Sequence, residues 1–128
     1  MIFFQIPIKT ISESNCSEHW TKKSKRHKQQ QLFVRLAMTK ERIEWPLPCD
    51  IKLSRLSPHQ LDDDNLRSSL KWVRDEVSEI ILGKTFSKDG TKVLKGRKDD
   101  DPRLNWIYGQ EKAKKYGVRI EISQRATP

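Results

Sequence analysis

Two runs of acidic residues stand out in an otherwise basic chain, Asp62-Asp63-Asp64-Asn65 and Asp99-Asp100-Asp101-Pro102. Three consecutive carboxylates crowd like charge, and a hard, oxygen-liganded cation such as Mg²⁺ relieves that crowding, with Mn²⁺ able to substitute. A cation held there polarises a phosphodiester and lowers the pKa of the attacking water, so the chemistry within reach is phosphodiester hydrolysis. In an extended lead-in to a helix, Asp62 and Asp64 alternate onto one side while Asp63 points elsewhere. Asn65 is then placed to hold a carboxylate or a bound water. A plainer use competes at each run. Asp64 suits a helix start, where free N–H groups and the dipole favour a carboxylate, and Asp101 before Pro102 is an ordinary turn pair. Caps and turns account for one acid per run, and spacing alone leaves both uses open.

A second set of residues is cationic. Lys22, Lys23, Lys25, Arg26 and Lys28 run together with His19, Trp20 and His27 interleaved, a one-signed pattern that suits phosphate contact better than a solvated face, which mixes signs. Lys71 follows the first acidic run. Between Lys84 and Lys98, the cations Lys84, Lys88, Lys92, Lys95, Arg97 and Lys98 face only Asp89; a basic flap over bound DNA and a plain surface insertion fit that stretch equally. Over 128 residues, 26 Lys and Arg against 17 Asp and Glu give a formal charge of +9, the profile of a polyanion binder. Met1 to Phe4 is too short an apolar run for a signal peptide core of ~7–15 residues or a span of ~20, so no membrane partner is expected. Cys16 and Cys49 fit no metal-ligand spacing, and a reduced, cytoplasmic protein is the expectation.

These residues need elements to hold them. Ile2 to Ile8 reads as a first strand stopped by Pro7. From Ser17 as N-cap, Glu18 to about Lys40 contains no Gly or Pro and predicts a long helix, basic in its first half and carrying Leu32, Val34, Leu36 and Met38 in its second. Trp45-Pro46-Leu47-Pro48 ends the pattern. Cys49 to Leu56 alternates as a strand closed by Ser57-Pro58. A helix beginning near Asp64 carries Leu66, Leu70, Val73, Val77, Ile80 and Ile81 at steps of three and four and stops at Gly83. Thr85 to Leu94 fits a hairpin around a type I′ turn at Asp89-Gly90. Leu104 to Tyr108 and Val118 to Ser123 read as two more strands, joined by Gly109 to Gly117. The expectation is one α+β domain of two layers, a short mixed sheet with two helices on one face, in the order β-α-β-α-(hairpin)-β-β.

On these residues the chain resembles the RusA-like Holliday junction resolvases. Leu61-Asp62-Asp63-Asp64-Asn65-Leu66 and the helix that follows are similar to the family's D-x-D-N-L motif and helix. Asp99-Asp100-Asp101-Pro102-Arg103 with Trp106-Ile107-Tyr108-Gly109-Gln110-Glu111 looks like its later acidic loop and strand, and Pro7, Asn15 and Glu18-His19-Trp20 resemble its first strand and helix. The resemblance implies a homodimeric, Mg²⁺-dependent nuclease that makes paired nicks in a four-way DNA junction. Asp62 and Asp64 carry over as metal ligands, with Asp99 or Asp100 as the later one. Two positions depart from the family: Ser68 stands where a Lys is common, and Leu61 replaces a basic residue. These departures give weight to a second expectation, a branched-DNA-binding accessory protein of the same fold without catalysis. A third class, an RNA-binding module, has no RNP-type aromatic pair or GxxG clamp to support it.

Overall fold

The computed structural model describes residues 1–12, 19–83, 85–86, 89–91, 93–94 and 98–125. Its elements run β1 (Ile2–Ile6), α1 (Trp20–Met38), β2 (Cys49–Ser57), α2 (Asp63–Ser69), α3 (Lys71–Leu82), β3 (Thr85–Phe86), β4 (Val93–Leu94), a 3₁₀ turn (Lys98–Asp100), β5 (Leu104–Lys112) and β6 (Gly117–Gln124). The α+β expectation holds. The main sheet is ordered β1-β6-β2-β5, with β2 parallel to β5 and β6 antiparallel to both β1 and β2.

Alternation builds this sheet. Ile51 and Leu53 of β2, and Val118, Ile120 and Ile122 of β6, are fully buried, while Lys52 of β2 is exposed and its partner Glu121 half-buried. The period of two therefore puts one face on the core and the other toward water. Above the buried face, α1 contributes Gln30, Val34 and Met38 and α3 contributes Val73, Val77 and Ile81, each set repeating every four residues along one helical stripe. Arg35 joins the two helices through an ion pair with Glu76 at 2.6 Å. Leu32 and Leu36, expected among the apolar positions of α1, are exposed, as is Trp20 among its cations.

Several expected boundaries are corrected. The helix foreseen from Asp64 to Gly83 is two helices, because Ser69 turns its hydroxyl back onto the Leu66 carbonyl at 2.7 Å and Leu70 closes a tighter bond to Arg67 at 3.2 Å. Such local bonds compete with the α-helical ladder. β5 passes through Gly109 and ends at Lys112, four residues beyond the expected stop at Tyr108. Gly109 is no turn residue: a Cβ there would lie 3.1 Å from both Lys52 Cε and Ser54 Oγ, so glycine serves close approach to β2. The hairpin is present but lacks a type I′ turn. Phe86 pairs with Val93, and of Asp89 and Gly90 only Gly90 has positive φ, whereas type I′ needs it at both. Asp89 Oδ1 instead accepts from Thr91 N at 3.1 Å and Thr91 Oγ1 at 2.8 Å.

His19 caps the described start of α1, its Nδ1 accepting from Thr21 N. Ser17 as cap, Asn15, Cys16 and Glu18, and the cations Lys84, Lys88, Lys92, Lys95 and Arg97 lie outside the described residues. Cys49 is a buried free thiol whose pKa is pushed up by burial. Among the described residues, no helix is long and apolar enough to cross a membrane.

Candidate functional site

Asp62, rather than Asp64, caps α2. It keeps an extended backbone and its Oδ1 accepts the Asn65 amide at 2.9 Å, leaving the second carboxylate oxygen toward solvent. Asp63 and Asp64 already belong to the helix as its exposed first turn. The extended alternation expected of Asp62 and Asp64 therefore stops at Asp62. All three acids are favoured there by the positive end of the helix. Asn65 turns its side-chain oxygen to Ser12 Oγ at 2.5 Å, tying the acidic turn to the segment that follows β1.

Two further residues hold this turn in place, and sequence reasoning passed over both. Gln110 of β5 brackets Leu61: Oε1 accepts the Leu61 N–H at 2.9 Å and Nε2 donates to the Leu61 carbonyl at 2.7 Å. Arg55, buried near the end of β2, donates from Nε to Thr10 Oγ1 at 3.2 Å, from Nη2 to Thr10 O at 3.1 Å and from Nη1 to His59 O at 2.8 Å. Burial lowers the Arg55 pKa, opposed by Tyr116. One guanidinium thus joins the loops before α1 and before α2. The available signal for Gln110 was its alternation with Trp106 and Tyr108, hidden by stopping the strand at Tyr108.

Asp99 and Asp100 sit on the 3₁₀ turn at the other end of β5. Trp106 Nε1 donates to the Asp99 carbonyl at 2.8 Å, and Lys98 Nζ donates to the Gly83 carbonyl at the end of α3. The Asp99 carboxylate pairs with Arg74 Nε at 3.0 Å. Asp100 lies 3.8 Å from the same guanidinium and is 61% exposed against 18% for Asp99. Arg74 also donates to Tyr108 OH at 2.7 Å and lies over the Trp106 ring at 4.9 Å. Burial would lower its pKa, but the Tyr108 hydroxyl and the Asp99 carboxylate outweigh it and raise it. Asp101 is the turn residue expected, its carboxylate clasped by the Arg103 side chain and backbone N–H.

The two acidic runs are therefore held at different points of β5, one by Gln110 and one by Trp106. Four residues of strand separate these anchors by ~13 Å. Between them lie Arg67, whose guanidinium is 5.5 Å from the Tyr108 ring centre, and Arg74. The structure keeps Asp62 and Asp64 on one helical turn and Asp99 and Asp100 on another, and does not merge the pairs. Among the described residues, no group of three or more His, Cys, Asp or Glu side chains is close enough to hold a metal ion. The oxygen donors on the first turn of α2 still suit a hard cation, since Mg²⁺ takes one or two protein carboxylates and fills its remaining positions with water and phosphate.

Cations line the elements next to those that carry the acidic turn. Lys71, at the start of α3, lies 5.1 Å over the Trp72 ring, and Trp72 stacks on His27 of α1 at 4.1 Å. That stack sets the basic half of α1 beside the α2–α3 junction. On α1, Lys22, Lys25 and Lys28 are exposed, and Lys23 and Arg26 half-buried. At the end of β5 and just past it, Lys112, Lys114 and Lys115 are exposed, and Lys9 rests over Tyr116 at 4.7 Å. These last four cations were also missed: Lys112, Lys114 and Lys115 form a short basic run of their own, and Lys9 joins it only through Tyr116. The solvent face of the sheet has another character, with Asp50, Glu111 and Glu121 among Lys52, Arg119 and Arg125.

Comparison with family models, curated proteins and solved structures returns no match for this chain.

Proposed function

We propose that this protein is a Mg²⁺-dependent DNA endonuclease that cuts branched DNA, four-way junctions foremost, as a homodimer making paired nicks. The observation that carries this reading is the exposed Asp62–Asp64 turn at the start of α2, fixed by Gln110 and flanked by Arg67, Lys71 and the basic half of α1. A surface that is cationic around a small carboxylate site suits a polyanion that must be held and then hydrolysed.

In this reading Asp62 and Asp64 would hold the ion, and Asp99 or Asp100 would serve as the later ligand only if the 3₁₀ turn left Arg74 and moved toward α2. Bound Mg²⁺ would supply neutralisation of charge on the phosphodiester. The chain's own residues do the rest. Asp62 stays oriented because one of its oxygens is spent on the Asn65 amide. Gln110 stops the turn from drifting, and the α1 cations fix the register of the DNA backbone without reading its sequence.

Incubation with a synthetic four-way junction and Mg²⁺ tests the proposal. Symmetric nicks are expected, lost in Asp64→Asn with junction binding retained. Equal cutting by both proteins would put the chemistry elsewhere. The ion pair between Asp99 and Arg74, together with Ser68 and Leu61 at the departing positions, favours the alternative of a non-catalytic branched-DNA-binding accessory protein. Tight junction binding without cleavage in either Mg²⁺ or Mn²⁺ would establish that alternative.

A further inference from the structure

We infer that Arg67 is a phosphate-binding residue that seats a nucleic-acid strand beside the acidic turn of α2, an inference that rests on the DNA-acting reading above. Arg67 follows Asp63 and Asp64 by one helical turn, the spacing at which helix side chains of opposite charge normally pair. Among the described residues, however, its guanidinium has no carboxylate partner. It lies instead over Tyr108, 5.5 Å from the ring centre, and is exposed.

The Tyr108 ring is a fixed platform, because its hydroxyl accepts from Arg74 Nη1 at 2.7 Å and Arg74 is in turn held by Asp99 and Trp106. Arginine stacked on an aromatic face keeps its donor edge open, and that planar edge matches two oxygens of a phosphate. The two guanidiniums that lie over the rings of β5 thus have different duties. Arg74 is consumed by the fold, whereas Arg67 has its charge uncommitted.

Position selects nucleic acid as the ligand. One turn further along the chain, Lys71 rests on Trp72, and Trp72 stacks on His27 within the basic half of α1. Two cations on aromatic platforms, Lys71 on Trp72 and Arg67 on Tyr108, therefore link the α1 side of the helix pair to Asp62–Asp64. A phosphodiester strand entering along α1 meets Lys71, then Arg67, then the carboxylates. An acidic peptide would need its carboxylates at similar intervals and has no use for the acidic turn at the end of the path.

The test uses the full chain, a fluorescent four-way junction and a plain duplex, in EDTA so that binding is read apart from cutting. Arg67→Ala is expected to weaken junction binding about tenfold and to lower the slope of log affinity against log salt by about one phosphate contact. Arg67→Lys should restore most of the slope. Unchanged urea midpoints for both variants would separate contact from folding. If Arg67→Ala binds with wild-type affinity and slope, the inference is overturned, and the nuclease reading keeps its own test with Asp64→Asn. If the slope falls as expected but wild-type protein never cuts, the phosphate site stands and the nuclease reading fails. Absence of DNA binding by the wild-type protein would overturn both.

Discussion

Arg74 is the counterion of Asp99: its Nε lies 3.0 Å from Asp99 Oδ2, and its Nη2 reaches the carbonyl of the same residue at 3.3 Å. This pairing fixes the 3₁₀ turn against α3 and, through Tyr108, against β5. Arg74→Met leaves a mostly buried carboxylate and a phenol hydroxyl without their donor. The expected cost is about 2–3 kcal/mol, below the 3–5 typical of a fully buried pair because both groups keep some water. Tyr108→Phe removes one hydrogen bond and should cost about 1 kcal/mol, while keeping the ring under Arg67. The double variant Arg74→Met, Asp99→Asn leaves no orphaned charge and should regain about half the loss, as read from urea midpoints. Additive losses in that double variant would mean that the pair is not coupled.

Asp101 gives a pH marker within the same loop. The Arg103 side chain and then the Arg103 backbone N–H hold its carboxylate down to about 2. A carboxylate depressed by folding stabilises the native state above its unfolded pKa of ~3.9, and that contribution is lost as pH falls through the folded value. Acid should thus loosen the Asp101–Arg103 turn only well below pH 4. Titration of the Asp101 carboxyl by carbon NMR should show the low value, and Arg103→Gln should move it back toward ~3.9. An unchanged titration in Arg103→Gln would remove Arg103 as the cause.

The β2 and β6 strands and the apolar steps of α3 were legible in the sequence because each buries one face, and burial writes a period into the residues. The break between α2 and α3 was not. Leu70 continues the apolar stripe across the break and is fully buried, so the core pattern runs on while the backbone does not. Gly109 misled for the opposite reason, since a glycine needed for contact with Lys52 and Ser54 carries the same letter as a turn glycine. For the candidate site, the acids and the α1 cations were visible as runs. Arg55, Arg67 and Gln110 are single residues whose partners lie far off in sequence or across strands, and no run announces them.

Between α1 and α3, Glu76 is buried and its pKa is raised by desolvation, with Arg35 pulling the other way. A carboxylate whose folded pKa lies above its unfolded value makes the native state lose stability as pH rises from ~4.3 to the folded pKa. Arg35 is 44% exposed and can be solvated if its partner is neutralised. Glu76→Gln should therefore be at least as stable as wild type at pH 7, with a gain of about 0.5–1 kcal/mol, and should lose the pH dependence just above pH 4. Urea midpoints between pH 4 and 8 check this. A loss above about 1 kcal/mol at pH 7 would show that the ion pair outweighs the desolvation of Glu76.

Gln110 links stability to the proposed chemistry. Its amide occupies both the N–H and the carbonyl of Leu61, the residue immediately before the cap of α2, so it sets where Asp62 begins its turn. Gln110→Leu keeps similar volume but offers neither a donor nor an acceptor. Two hydrogen bonds at about 0.5–1.5 kcal/mol each predict a cost of about 1–3 kcal/mol. The change should be local: amide exchange at Leu61 should speed at least tenfold, while Val118 and Ile120 in β6 keep their protection apart from the global loss. If the acidic turn is the nuclease site, a displacement of about 1 Å is worth about 100-fold in rate, so cleavage of a four-way junction should fall far more than stability does, with Kd little changed. Gln110→Glu keeps an acceptor for the Leu61 N–H but sets a carboxylate against the Leu61 carbonyl, and should impair cleavage as well. Wild-type cleavage in Gln110→Leu, with Leu61 exchange clearly accelerated, would show that the lead-in to α2 does not govern the chemistry.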